Sequence, residues 1–340
     1  MLETAVELLA GETAYVVGGT VRDELLGRAI LDVDIACHEP EQAARAYAQA
    51  MDGAPFPLSV THGGWRVALS GGLTVDFTPL SGPIEEDLAT RDFTINAIAR
   101  PLAGGGHVDP FGGRDDLAAK LVRAVDAGVF ERDPLRLLRG VRFEGELGFA
   151  LERRTERLIR EQAKLVTQPA GERILEVLVR LGLGGWHRVA ELGLLDPLGG
   201  SLELDDRAGA VDSPEYRLVV FLRDSLGLLP VSRELRRYAV ALLRSAPPAG
   251  SSPRDMHRFR RQTEPWARDA LAFHGRLDLA DALAESRAAD PAEPLLRGDE
   301  LGLAPGPEVG RLLELIAEER AAGTITTREE ALELVRRRPR

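Results

Sequence analysis

Between residues 14 and 78 the spacing of apolar positions switches repeatedly between two and three-to-four. That alternation marks strands and helices in turn. Residues 14–18, 32–36, 64–70 and 73–78 read as strands, the last two joined by Gly71-Gly72, a hairpin signal. Residues 2–10, 21–26 and 41–50 read as helices, and 85–89 begins a helix expected to run on through Arg91. Residues 107–109 give a last short strand before Pro110-Phe111-Gly112-Gly113. From Arg114 onward the spacing is helical, as in Leu135, Leu138 and Val141, then Ile174, Leu175 and Leu178. Breaks fall at Gly148, Gly171, Gly199-Gly200, Pro247-Pro248 and Asp290-Pro291, with no repeat of fixed period. The clearest linker is 246–253. The pattern predicts a mixed α/β module followed by an all-helical assembly.

At 340 residues the chain is long enough for several modules. No apolar run approaches a membrane span, and the first residues lack a basic start followed by an apolar core. The expectation is a cytoplasmic protein without membrane contact. Cys37 is the single cysteine, which excludes an internal disulfide and a cysteine-cluster zinc site. The net charge of −11 is unevenly spread: residues 1–120 hold 18 acids and 8 basic residues, and the rest holds 36 and 35. Acidity is therefore concentrated in the α/β module. Lys120 and Lys164 are the only lysines. Arginine suits phosphate and base-edge recognition, although GC-rich coding produces the same skew.

The chemistry begins at Gly18-Gly19-Thr20-Val21-Arg22-Asp23, followed by Asp32-Val33-Asp34. Side chains two apart on a strand share a face, so Asp32 and Asp34 form a carboxylate pair fit for Mg²⁺, which takes oxygen ligands and nucleotide phosphates. Gly18 and Gly19 let backbone N–H groups approach an anion closely. Asp76 lies on a later strand between Val75 and Phe77. It either faces solvent or serves as a third carboxylate, aiding the metals or deprotonating a 3′-hydroxyl. Arg22 and Arg91 are candidates for phosphate, and Asp92 for a ribose hydroxyl. Arg22 has a plain alternative as a surface helix charge. Asn96 either ties helix to sheet, the reading slightly favoured, or touches the ligand.

Asp133 reads as a helix cap with Pro134 at the first helical position. Arg136, Arg139 and Arg142 follow at spacing three, on one face. An Asp acceptor beside an Arg donor matches the edge of C or A, while a solvated face is the bland reading. A second stripe, Arg153, Arg154, Arg157 and Arg160, is a candidate for RNA phosphates.

At these residues the chain resembles the class II tRNA nucleotidyltransferases, the family of CCA-adding enzymes and bacterial poly(A) polymerases. The matching motifs are Gly18-Gly19-x-Val21-Arg22-Asp23 with Asp32-x-Asp34, Glu86-Asp87-Leu88-x-x-Arg91-Asp92-Phe93-Thr94-Ile95-Asn96-Ala97, Asp109-Pro110-Phe111-Gly112-Gly113-x-x-Asp116-Leu117, and Asp133-x-x-Arg136. The segment Gly298-Asp299-Glu300-Leu301-Gly302-Leu303-Ala304-Pro305-Gly306-Pro307 resembles a tail motif, and 185–290 matches poorly. The resemblance implies a polymerase-β-like nucleotidyltransferase head (1–116). It further implies an all-α neck with the base-recognition motif (117–184), a body (185–248) and a tRNA-binding tail (249–340). It implies Mg²⁺ on Asp32 and Asp34, selection of CTP and ATP by Asp133 and Arg136, and the tRNA 3′ end as substrate. Three departures stand out. Thr90 replaces an Arg, Arg132 replaces a Glu that would help position the Arg, and only 80–84 separates the third acidic strand from the next helix. So short a link resembles enzymes that add two cytidines and leave the adenosine to a separate A-adding enzyme; a poly(A) polymerase and a non-catalytic relative are the rivals. None of the six histidines is followed by Asp, so a His-Asp phosphohydrolase module is not expected. His62 is read as a loop residue.

Overall fold

Alternation along Asp32-Val33-Asp34-Ile35 builds the centre of a six-stranded mixed sheet. The computed structural model describes residues 1–59, 63–291 and 293–337. His62 and its loop reading lie outside the described residues. The strands are β1 (Tyr15–Val17), β2 (Asp32–Cys37), β3 (Ala54–Ser59), β4 (Gly64–Ala68), β5 (Thr74–Pro79) and β6 (Ala99–Pro101). Their spatial order is β3-β4-β5-β2-β1-β6. Strands β2 and β5 run parallel and the other neighbours antiparallel. Among them run α1 (Leu2–Leu8), α2 (Gly19–Leu25), α3 (Pro40–Met51) and α4 (Ile84–Ala89), followed by α5 (Gly113–Ala119).

The period of two decides which face holds the core and which holds the acids. Val33 and Ile35 are fully buried, and Phe77, the register partner of Ile35, meets the ring of Tyr47 on α3 at 5.6 Å. Removing a buried aromatic of this kind costs about 3–5 kcal/mol, so Phe77 fixes the strand that carries Asp76 next to it. On the opposite face Ala36 joins Val17, Leu80, Ile84, Leu88 and Ala97 in a second buried cluster. Asp34 and Asp76 share that opposite face, directly paired in register.

The chain divides into two compact units, Met1–Leu198 and Gly199–Arg340. In the first, the sheet is followed by β7 (Leu121–Val122), α6 (Val129–Arg132), α7 (Arg136–Leu147) and β8 (Ala150–Leu151). Helices α8 (Arg153–Glu161), α9 (Gly171–Leu178) and α10 (Leu183–Glu191) complete it. The second unit is helical: α11 (Pro214–Leu222), α12 (Arg233–Leu243), α13 (Pro253–Thr263), α14 (Ala267–Phe273), α15 (Ala280–Ala288), α16 (Pro307–Ala321) and α17 (Arg328–Arg336). The linker read at 246–253 joins α12 to α13 within this unit. Among the described residues no helix is long and apolar enough to cross a membrane.

Three local expectations change. Strand β3 carries Pro55 and Pro57, which hide its strand character in the sequence. It sits at the sheet edge, where a missing N–H costs no ladder bond. The helix from 84 stops at Ala89 and does not continue through Arg91. There Phe93 turns extended and bridges Ala124, while Thr94 N donates to Arg123 O and Val125 N to Asp92 O. Pairing with 123–125 captures the segment before a helix can propagate. The next strand is Ala99–Pro101, and of 107–109 only Val108 pairs with it, through Ala99.

Candidate active site

The turn before α2 places the first functional backbone. Gly18 has φ +67°, a left-handed conformation that favours glycine. A Cβ there would come within 3.3 Å of Arg91 Nη1 and 3.5 Å of Asp34 Oδ2, so glycine also keeps the space before the acids clear. Thr20, two residues on, locks α2 to β2. Its hydroxyl accepts from Asp34 N at 2.8 Å and donates to Asp32 O at 3.2 Å.

Asp32 is exposed and accepts from Thr74 Oγ1 at 2.6 Å; Asp34 is half-buried. Burial pushes the Asp34 carboxyl up to about 6, with Asp76 and Asp32 adding to the rise and Arg91 and Arg66 opposing it. A carboxylate this costly to ionise, with a second acid two residues away, is a donor set that a divalent cation satisfies. Among the described residues no three His, Cys, Asp or Glu side chains gather into a cage.

Asp76 faces inward on the same side as Asp34, not to solvent. Both its oxygens are taken by Arg66 of β4, at 2.7 Å each. The Arg66 side chain is about one-third exposed and that of Asp76 nearly buried. As the site stands, Asp76 is held by a guanidinium and is not free to act as a base. Sequence reading missed Arg66 because its meaning comes from the register Arg66↔Asp76 between β4 and β5.

The Arg91 motif is a structural hub. Asp92 accepts from Phe93 N at 2.8 Å, Asn96 Nδ2 at 2.9 Å and Arg139 Nε at 2.8 Å. Burial alone would raise its carboxyl. The Arg139 charge and the bonds from Asn96, Arg139 and Phe93 outweigh that and hold it below the usual carboxylate range. Asn96 Oδ1 in turn accepts from Arg22 Nη1 at 2.7 Å, and Arg22 also grips Asp23. Arg22, Asn96, Asp92 and Arg139 thus form one chain of hydrogen bonds from α2 to α7. Arg22, read as a triphosphate partner, is turned inward, its guanidinium 5.2 Å from the Phe143 ring centre. The guanidiniums of Arg139 and Arg142 lie 5.4 and 4.8 Å from the same ring. Arg142 is nearly buried; its Nε lies 3.5 Å from Glu146 Oε1 and among the described residues makes no hydrogen bond. Arg91 pairs with Asp87 at 2.8 Å.

The base-recognition segment breaks differently from expectation. Asp133 does not cap a helix that opens on Pro134: α7 begins at Arg136 with Leu135 as its cap. The residue before a proline is driven out of the helical region, and Asp133 is extended, separating α6 from α7. The Asp133 carboxylate accepts from Leu135 N at 3.2 Å and pairs with Arg173 of α9 at 2.8 Å. Arg136 donates to Thr90 O at 2.6 Å and Arg91 O at 3.3 Å, so main-chain carbonyls position it. Arg132, standing where a Glu was expected, turns to Asp126 at 2.6 Å. In the outer stripe, Arg157 pairs with Glu161 and Arg160 with Glu156, while Arg153 and Arg154 are exposed. Gly113, in the third motif, packs so tightly that a Cβ would collide with Thr94 O. Asp116 beside it binds Thr94 and Arg123. That motif braces the site from behind.

A family model described as the poly A polymerase head domain matches residues 14–80 and 72–123. A CC-adding tRNA nucleotidyltransferase of Geobacter sulfurreducens is 33% identical over 94% of this chain and 91% of its own length. An A-adding tRNA nucleotidyltransferase of Deinococcus radiodurans is also 33% identical, over 95% of each chain. Among solved structures, a Thermotoga maritima CCA-adding enzyme complexed with tRNA superposes with a TM-score of 0.72 at 25% identity, covering 98% of this chain and 93% of that one.

Proposed function

The chain belongs to the tRNA nucleotidyltransferase family, and from that premise we propose that it adds nucleotides to the 3′ end of tRNA without a nucleic-acid template, CTP first. The observation that carries the reading is the Asp32–Asp34 pair beside the left-handed glycine turn at Gly18, where a side chain would crowd Asp34. These two carboxylates would hold Mg²⁺, which when bound stabilises charge on the attacking and leaving oxygens. Asp133 and Arg136 serve base choice. Asp133 accepts from the exocyclic amine of C or A, and Arg136 is steadied by the carbonyls of Thr90 and Arg91. Head, neck, body and tail divide the work as the motifs suggest, with catalysis at 1–116 and base choice at 117–184.

Addition of two cytidines, with adenosine added poorly, is the favoured outcome. Leu80 and Ile84 are both buried in one apolar cluster, which leaves three residues between anchored ends. A link so short and so pinned moves little, which supports a pocket that keeps its cytidine setting. A separate A-adding enzyme would then finish the end.

The test offers tRNA ending at its discriminator base with CTP, ATP or both, and sequences the 3′ ends. Ends stopping at CC support the reading, and complete CCA overturns the role given to the link. Offering ATP to tRNA already ending in CC tests for the A-adding activity named for the Deinococcus relative. Asp133→Ala is expected to lose about 1–3 kcal/mol of discrimination between CTP and UTP. A variant that is slow yet equally selective would reduce Asp133 to a turn residue paired with Arg173.

A further inference from the structure

The second unit carries a cationic groove that none of the motifs touches. On α12, Arg233, Arg236, Arg237 and Val240 fall at helical spacing three, four and seven, on one face, and all four are exposed. Among the described residues none of these three arginines has a hydrogen-bonded or ion-paired carboxylate. Their neighbours in the same unit differ: Arg244, Arg258, Arg260, Arg261 and Arg287 each pair with an acid. The three free guanidiniums, with Gln262 and Trp266, line an open groove of about 410 Å³. Its one acid, Glu264, is engaged by Arg260 and Arg287. The Trp266 ring is half-buried and braced edge-on by Tyr238 at 5.6 Å, and Tyr238 is itself fixed by its hydroxyl donating to Asp269 at 2.8 Å. The Arg237 guanidinium stands 5.6 Å from the Trp266 ring centre.

Unpaired arginines beside a rigid aromatic ring match a polyanion that also presents flat bases. Guanidinium forks take phosphate oxygens, and an indole face takes an unstacked base. Val240 is the one large exposed apolar side chain of the groove, too little for a lipid surface. We infer that α12 and Trp266 form a docking surface for RNA, with phosphates along Arg233, Arg236 and Arg237 and one base against Trp266. This rests on the reading that tRNA is the substrate and names where a poorly matching part of the chain would hold it. It also places the phosphate contacts on α12 and not on Arg157 and Arg160, whose charges are met by acids.

The experiment replaces Arg233, Arg236 and Arg237 together by Gln, and separately makes Trp266→Leu and Trp266→Phe, in the full chain. Affinity for tRNA is measured by fluorescence anisotropy across a salt series, with KM for tRNA and CTP alongside. The triple variant is expected to reduce the slope of log affinity against log salt by about 2 to 3. Its KM for tRNA should rise about tenfold or more while KM for CTP stays put. Trp266→Leu should weaken tRNA binding with an unchanged salt slope, and Trp266→Phe should restore it. An unchanged slope and KM for tRNA in the triple variant, in a protein that still extends tRNA, overturns the docking surface alone. Polyglutamate binding lost in the triple variant, with tRNA binding intact, overturns it in favour of an acidic protein partner. A wild-type protein that extends no tRNA overturns the functional reading, and the docking surface with it.

Discussion

Asp34→Asn is expected to lower nucleotide incorporation about a thousandfold or more, the loss of several kcal/mol of metal-borne charge stabilisation. The same change should make the protein more stable at pH 8. The Asp34 carboxyl ionises near pH 6 in the fold, against 3.8 when free. A raised folded value means that its stabilising share is complete below about pH 4 and lost as the pH rises through about 6. Above that the ionised, half-buried group costs about 1–3 kcal/mol. The Asn variant escapes this cost, so the difference in melting temperature should open between pH 4 and 6 and then level off. Added Mg²⁺ should raise the melting temperature of the wild type and not of the variant. Near-normal turnover would remove Asp34 from the metal site, and a variant that melts below the wild type at pH 8 without Mg²⁺ would remove the burial cost.

Asp92→Ala is expected to destabilise the first unit by about 3–5 kcal/mol, the cost of stranding a charge whose partner is gone. Arg139, Asn96 and the Phe93 N–H all point at this one carboxylate. Loss of it frees Arg139 on α7 and loosens Asn96, which holds Arg22. Nucleotide choice should therefore degrade along with stability, with KM for CTP rising more than KM for tRNA. The sign of the pH effect is opposite to that of Asp34. Because the folded carboxyl lies below its ordinary value, its contribution is present above about pH 4 and lost as the pH falls through the depressed value. Wild-type protein should show that acid limb in denaturant titrations, and the Ala variant should lack it. Asp92→Asn keeps the shape and should fall between the two. Equal stability of wild type and Ala variant at pH 7 would show that the hub is not structural.

The carboxylate pair was legible because a strand repeats every two residues, which needs no knowledge of neighbours. The glycine turn was legible for the same local reason, since φ +67° at Gly18 is a property of one residue. What escaped is decided by pairing across the sheet or between helices. Arg66 acquires its meaning from a register, Arg173 from the approach of α9 to Asp133, and Thr20 from the seating of α2 on β2. The helix expected through Arg91 failed because residues 123–125 offer that segment an extended partner. The sequence leaves Asp76 open between a solvent-facing residue and a third carboxylate, because the guanidinium that holds it comes from the neighbouring strand. The preference for Asn96 as a tie between elements agrees with its bonds to Arg22 and Asp92.

The parallel joining of β2 and β5 also bears on the order in which the chain can assemble. Thr74 and Asp32, which meet across that junction, are 42 positions apart. Strands β3, β4 and β5 form a meander of sequence-local pairings, and local contacts form before distant ones because closing a long loop costs entropy. Arg66 and Asp76 both belong to that meander, so their pair can exist before β5 reaches β2. Closure then brings the third acid to Asp32 and Asp34 already paired with a guanidinium. The Asp76 charge still bears on Asp34, so the Arg66 pair lowers the repulsion met at that step without abolishing it.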